Sequence, residues 1–283
     1  MSVVQTTMQR VSAVATLPSV ALRIMRIAED PTATAEALHV VLSTDPALAA
    51  RVLRVVNSAF YGRSGAVSST RAAIQLLGVN AVRNIAIAAS LTKMFRGGRA
   101  VAGFEPSELW IHSMAVGAAA QRLATASGTV PPEEALLAGL LHDIGILIAM
   151  QAWLPEFTAV ISAVTRNSTV SFTAAESDFL GATHEAFGEA LCVEWRFPRV
   201  FAQVCAHHHD PLRLPASDRL LPALVHVADV LAARAEAGYC RTVATREVDP
   251  AVLTVVGLSD EQVASVEAVL QDDLAQAIAL FSG

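Results

Sequence analysis

Charge and aromatic side chains are both scarce in this 283-residue chain, at 16% and 5% of residues. With 53% hydrophobic residues, this composition belongs to an apolar, core-rich protein whose interior is built mainly from Ala, Leu, Val and Ile. Ala and Leu favour helix over strand. A basic surplus is also missing: the net charge is -6 and the pI near 5.7. General nucleic-acid binding, which uses a basic field, is therefore not expected. Arg51, Arg54, Arg71 and Arg83 leave room for a local anion-binding patch, although a solvated or internally ion-paired face is the simpler reading. The three cysteines, Cys192, Cys205 and Cys240, are odd in number and lack CxxC spacing. They read as thiols of a reducing compartment, not a disulfide frame. The first residues lack the charged start and long apolar run of a signal peptide. The longest apolar runs are interrupted by His, Asp, Glu, Arg or Gly before reaching about 18 residues, so no membrane span is expected. The expectation is a soluble cytoplasmic protein with no membrane contact.

What is present is helical periodicity almost throughout, without low complexity or an exact internal repeat. Pro18 lies early in a first helix that ends at Asp30-Pro31. A second, "TAEALHVVLSTDP", closes at Asp45-Pro46. A third runs from Pro46 towards Gly62, with Asn57 as a cap or turn residue and Phe60 and Tyr61 packing the junction. Ser/Thr before and Gly78 after bracket "TRAAIQLL". The Gly/Arg/Pro-rich "RGGRAVAGFEP" marks a hinge or domain junction at about residues 96–106. Further helical segments fill the second half, and only "STVSF" reads as a short extended piece. The expected fold is all-α: a multi-helix bundle with an N-terminal helical subdomain (10–100), a second helical subdomain (101–240) and a C-terminal helical extension (241–283).

The stretch "LLAGLLHDIGILIAM" reads as one buried helix, yet carries His142 and Asp143 at its centre. Unpaired polar groups are costly to bury. Either the pair is a structural plug, with the carboxylate orienting the ring, or it binds something. Other candidate ligands lie in the same half. Glu108 and His112 are at i and i+4, sharing a helix face. His184 opens a helix, His207, His208 and His209 close one, and His226 and Asp229 lie one turn apart. Imidazole with carboxylate suits Fe, Mn or Zn, and ligands projecting inward from several helices are a known way to build such a centre. More than four such ligands suit two ions, which together clamp a phosphate and activate water. The bland alternatives are a polar helix end for His207, a helix-dipole role for Glu108, a partner to Asp229 or a core residue for His226, and core packing for Trp110, Trp153 and Trp195.

"LWIHSMAVGAAA", "EEALLAGLLHDIGILI", "AHHHDP" and "LVHVADVLA" resemble the His-Asp superfamily of metal-dependent phosphohydrolases. "TDPALAARVLRVVNSAFYG", "VSSTRAAIQLLGVNAVRNIAIA" and "THEAFGEALCVEWRFP" resemble its HDOD branch, related to the HD-GYP phosphodiesterases. The likeness spans roughly residues 15–237. It implies metal ligation by His112, His142, Asp143 and Asp229, and, by analogy with HD-GYP enzymes, by Glu108, His184, His208 and His209. Two departures stand out. Ile146 occupies the position of the lysine in "HDIGK", and "DPLRLPASDR" replaces the Gly-Tyr-Pro loop associated with cyclic di-GMP. The resemblance therefore implies a regulatory module acting on signalling proteins in trans, with a nucleotide as a conceivable ligand and a retained divalent-metal site (Fe, Mn or Zn, one ion or two). The alternative is a metal-dependent phosphohydrolase acting on a nucleotide or other phosphoester.

Overall fold

Caps and prolines set the helix boundaries. Thr34, Asp45, Ser69, Ser171 and Asp249 each accept a backbone N–H of the first turn of the following helix. The computed structural model describes residues 2–11, 19–29, 34–58, 66–95 and 100–281. The expectations for Pro18, Asp30-Pro31, Phe60, Tyr61 and Gly62, and for 96–99 of the hinge, lie outside them. In chain order the helices are α1 (Val3–Val11), α2 (Ser19–Glu29), α3 (Ala35–Ser43), α4 (Pro46–Val56), α5 (Thr70–Leu77), α6 (Val79–Phe95), α7 (Pro106–Ser127), α8 (Pro132–Leu141), α9 (Ile144–Ala152), α10 (Leu154–Arg166), α11 (Phe172–Leu180), α12 (His184–Glu194), α13 (Arg199–His207), α14 (Leu220–Arg234), α15 (Pro250–Val256) and α16 (Asp260–Phe281). Among the described residues there is no strand, only an isolated bridge between Val101 and Phe104. The segment "STVSF" forms a turn leading into α11, not an extended piece. Asn57 does cap α4, and its side-chain amide both donates to and accepts from the backbone of Val67, at 2.9 and 2.7 Å.

Helix α7 is apolar nearly all round and lies at the centre, packed on α8, α14 and α16. Small residues allow the close approach: a Cβ on Gly139 of α8 would lie 2.7 Å from the Gly117 Cα of α7. The first half joins this core through α6, which packs on α4 and α8. On the other side, the half-exposed Arg122 of α7 forms a two-pronged pair with the buried Asp273 of α16, at 2.6 and 2.7 Å. Helix α1 lies against α9 and α12. There Trp153, half-buried, not fully in the core, donates its indole N–H to Thr7 and sits under the Arg10 guanidinium.

Two expectations about "LLAGLLHDIGILIAM" need correction. It is not one helix: His142 and Asp143 form a turn between α8 and α9, with Asp143 at φ -99°, ψ 13°. The break lets both side chains project towards the same space. The segment Pro132–Ala152 also has the length and mean hydropathy of a membrane span, despite its interruptions. In the fold it is almost wholly enclosed by other helices. The Cys192 and Cys205 sulfurs, buried on α12 and α13, lie 3.6 Å from each other as free thiols. In the first half, Arg71 pairs with Glu36 on the surface and Arg51 donates to the Ala89 carbonyl.

Candidate metal centre

Five regions of the chain bring imidazoles and carboxylates to one buried point. His112 comes from α7, the His142–Asp143 turn from the α8–α9 junction, and His184 from the first position of α12. His208 and His209 follow the end of α13, and Asp229 comes from α14. His112, His142, Asp143, His184, His208 and Asp229 are buried, and only His209, with a side chain 20% exposed, reaches towards solvent.

Four of the rings are held from behind. The Nδ1–H groups of His112, His142 and His208 donate to the carbonyls of Ala237 (3.2 Å), Gly139 (2.7 Å) and Val204 and Cys205 (both 3.1 Å). His184 Nδ1 donates to the Glu176 carboxylate at 2.7 Å. A carbonyl only accepts, so these contacts assign the proton to Nδ1 and turn Nε2 inward, as in metal-bound histidines. Inside, the atoms form two groups: His112, His142 and Asp229, and Asp143, His184, His208 and His209. His112 Nε2 lies 3.0 Å from Asp229 Oδ1, and His184 Nε2 lies 3.1 Å from His209 Nε2. Asp143 stands between the groups, with Oδ1 3.3 and 3.4 Å from the Nε2 atoms of His184 and His208 and Oδ2 3.4 Å from that of His142.

The protein alone leaves this point unsatisfied. His142 Nε2, His208 Nε2 and both Asp143 oxygens are buried with no hydrogen-bond partner. Buried polar atoms are nearly always paired, and four orphans converging on one point fit a cation that accepts nitrogen and oxygen ligands. The buried His/Asp cluster can therefore hold a metal.

The electrostatics agree. Burial works to raise Asp143 and Asp229, but the surrounding imidazoles outweigh it and hold both carboxyls below their usual range. Burial likewise opposes charge on His112 and His184, yet Asp229 raises the first and Glu176 and Asp143 raise the second to about 9. Burial and the neighbouring His208 and His184 push His209 down. Without metal, His184 is thus protonated at neutral pH and must lose a proton to coordinate. Metal affinity is expected to rise with pH up to about 9, with proton release visible as buffer-dependent binding enthalpy in calorimetry. The metal-free protein should show the opposite trend. Its His184 pair stabilises fully below the unfolded value of about 6.5 and is lost as pH rises through about 9. A melting temperature of the metal-free protein that rises over that interval would contradict this assignment.

A cleft of about 270 Å³ opens over His209 and Asp229. Its walls include Ser171, Thr173, Glu185, Arg213, Thr242 and Thr245. Arg213 is tied to Asp210 at 2.7 Å.

A model of the HDOD domain family matches residues 14–211. The chain belongs to the HDOD domain family. The match ends short of the roughly 237 expected from the sequence, before α14 and Asp229. An HDOD domain protein of unknown function from Geobacter sulfurreducens is 26% identical and superposes with a TM-score of 0.81, covering 98% of both chains. A Marinobacter aquaeolei VT8 protein named for signal transduction is 25% identical with a TM-score of 0.69, covering 95% of this chain and 60% of that one. An uncharacterized protein of Treponema pallidum (strain Nichols) is 24% identical over 226 residues, 78% of this chain. This HDOD chain spans 42% of that relative's length.

Of the eight ligands implied by resemblance, seven converge. Glu108 does not: it is exposed in the first turn of α7 and belongs to neither group. The i, i+4 spacing to His112 holds, but the 237–240 turn packs on this stretch of backbone, with Tyr239 N–H donating to the Glu108 carbonyl at 3.1 Å. His226 does not orient Asp229; its Nδ1–H donates to the His208 carbonyl at 2.7 Å and steadies the end of α13. Ile146, at the lysine position, is completely buried among apolar neighbours. The replaced loop forms two 3-10 turns, Pro211–Arg213 and Ala216–Asp218. Sequence reasoning missed Glu176. The signal was there: Phe172, Glu176 and Leu180 share one buried helix stripe at i, i+4, i+8, so a carboxylate sat on an apolar face. The Ala237 carbonyl behind His112 had no such signal.

Proposed function

We propose that this chain is a non-catalytic signal-transduction module of the cytoplasm that retains a divalent-metal centre and acts through binding, with signalling proteins as partners in trans. The observation that carries the metal centre is the convergence of unpartnered His142 Nε2, His208 Nε2 and Asp143 oxygens. His112, His142 and Asp229 would hold one ion, and Asp143, His184, His208 and His209 a second. The imidazole-rich donor set favours Fe, Mn or Zn over Mg or Ca. The regulatory reading rests on what surrounds the centre. Ile146 places a methyl-rich side chain where the HD-GYP pattern carries an ammonium, and Arg213 in the cleft is already paired with Asp210. Among the described residues, no other arginine lines that cleft to receive a leaving phosphate. The relative named for signal transduction is consistent with such a role. The helical segments 10–100 and 101–240 would be the working halves, with 241–283 bracing the second.

The phosphohydrolase reading is favoured by one feature, the cleft that reaches His209 and Asp229 from solvent. A bound metal would supply Lewis acidity and an acidified water there. The chain itself offers Thr173, in the wall of that cleft, to position a phosphoester.

Both readings meet one experiment. Protein purified without chelators is expected to contain Fe, Mn or Zn near stoichiometry, and His142→Ala should lose at least half of it. Metal-free wild-type protein that takes up none on titration would remove the metal centre. Turnover of bis-4-nitrophenyl phosphate by the wild type, abolished in His142→Ala, would replace the regulatory reading with the hydrolytic one.

A further inference from the structure

The rings of the centre differ in what stands behind them. Behind His112, His142 and His208 are main-chain carbonyls, which carry only partial charge. Behind His184 is the carboxylate of Glu176, as completely buried as the ring itself. Helix α11 fixes that carboxylate. Ser171 caps its first turn, and Phe172 and Leu180 anchor the same stripe in the core. The Phe172 ring also lies edge-on to His184, with centroids 5.9 Å apart. Glu176 Oε2 takes the His184 N–H, while Oε1 has no hydrogen-bond partner. Among the described residues the carboxylate is therefore committed to His184 alone.

The two ligand groups also differ in number. His112, His142 and Asp229 make three, whereas Asp143, His184, His208 and His209 make four. Glu108, which shares α7 with His112, stays in solvent and does not complete the smaller group. Each group has one carboxylate ligand, Asp229 in the first and Asp143 in the second. What separates them is the fourth ligand and Glu176. Three protein ligands leave a coordination position open, whereas four can close one. A carboxylate behind a ligating imidazole raises the basicity of the ring, and losing such a partner usually costs about 10–100-fold in metal affinity. Its negative charge also attracts a cation directly, and more strongly where water is excluded.

We propose that Glu176 is a positioning residue that makes the centre unequal: the first divalent ion enters the Asp143, His184, His208 and His209 group, and the His112, His142 and Asp229 group fills last and more weakly. The inference rests on the metal centre proposed above. The test is Co(II) titration of the EDTA-stripped full chain, read by visible absorption and by competition with a chelating indicator. The wild type should take its first equivalent at least tenfold more tightly than the second. His112→Ala, which leaves the four-ligand group intact, should keep the tight equivalent. His184→Ala should lose it and keep the weak one. Glu176→Gln preserves size and removes the charge. Added to His112→Ala, it should weaken the remaining equivalent by about 10–100-fold and alter its spectrum. Added to His184→Ala, it should leave affinity and spectrum as they were. Damage to the fold would move both backgrounds alike. Equal loss in both backgrounds, no loss in the first, or a His184→Ala protein that keeps the tight equivalent or binds none overturns the proposal. Wild-type protein that takes up no Co(II) removes the metal centre itself, whereas uptake in two equal steps overturns only this inference.

Discussion

Asp143→Asn is expected to weaken metal binding more than about 100-fold, beyond the effect usual for residues that merely support a ligand. Asp143 belongs to one ligand group and faces the other, with Oδ1 towards His184 and His208 and Oδ2 towards His142. Asparagine preserves its size but removes the charge, and turns an N–H donor towards one of these Nε2 atoms. His142→Ala leaves Asp143, His184, His208 and His209 in place, so it should spare part of the metal that Asp143→Asn loses. The metal-free fold should suffer too. Removing one partner from a buried ionic cluster costs about 3–5 kcal/mol. Elemental analysis, chelator competition and melting curves with and without EDTA read these effects. Full metal retention by Asp143→Asn would remove the carboxylate from the centre.

Gly145→Ala is expected to be strongly destabilising, because among the described glycines an added Cβ meets backbone most closely there. A Cβ at Gly145 would lie 1.9 Å from the His184 carbonyl oxygen and 2.7 Å from the Gly188 nitrogen. These are backbone atoms, so no side chain can swing aside. Helices α9 and α12 must separate instead, which costs about 3 kcal/mol or more. For a chain of this size that lowers the melting temperature by roughly 6–12 °C. The separation displaces His184 from Asp143, so metal binding should fall as well, although Gly145 carries no ligand atom. Denaturation midpoints and metal content of the purified variant test both parts. A variant with wild-type stability would mean that the two helices do not pack in this way.

Helix class was legible because its signals are local. Asp45-Pro46, Ser69 and Gly78 act on their own neighbours, and each stands at the boundary its chemistry favours. The centre was legible where polar residues interrupt an apolar face. His142, Asp143 and Asp229 lie in runs of buried aliphatic residues, and resemblance then tied them to His112, His184, His208 and His209. Glu108 failed that reasoning because i, i+4 spacing puts two residues on one face without saying how far along the helix the core extends. The 237–240 turn covers the backbone from Glu108 to His112, which buries the His112 ring but leaves the Glu108 side chain in solvent.

The composition and punctuation of the sequence by themselves determined an all-helical, apolar protein with a His/Asp set too costly to bury without partners, because periodicity, capping and desolvation each act within a few residues. Only the tertiary structure decided which partners those are. The break at His142–Asp143, the Glu176 and Ala237 acceptors that aim two of the rings, and the glycine contacts that let α7 meet α8 and α9 meet α12 all depend on residues far apart in the chain. Their register is set by packing, which no local pattern encodes.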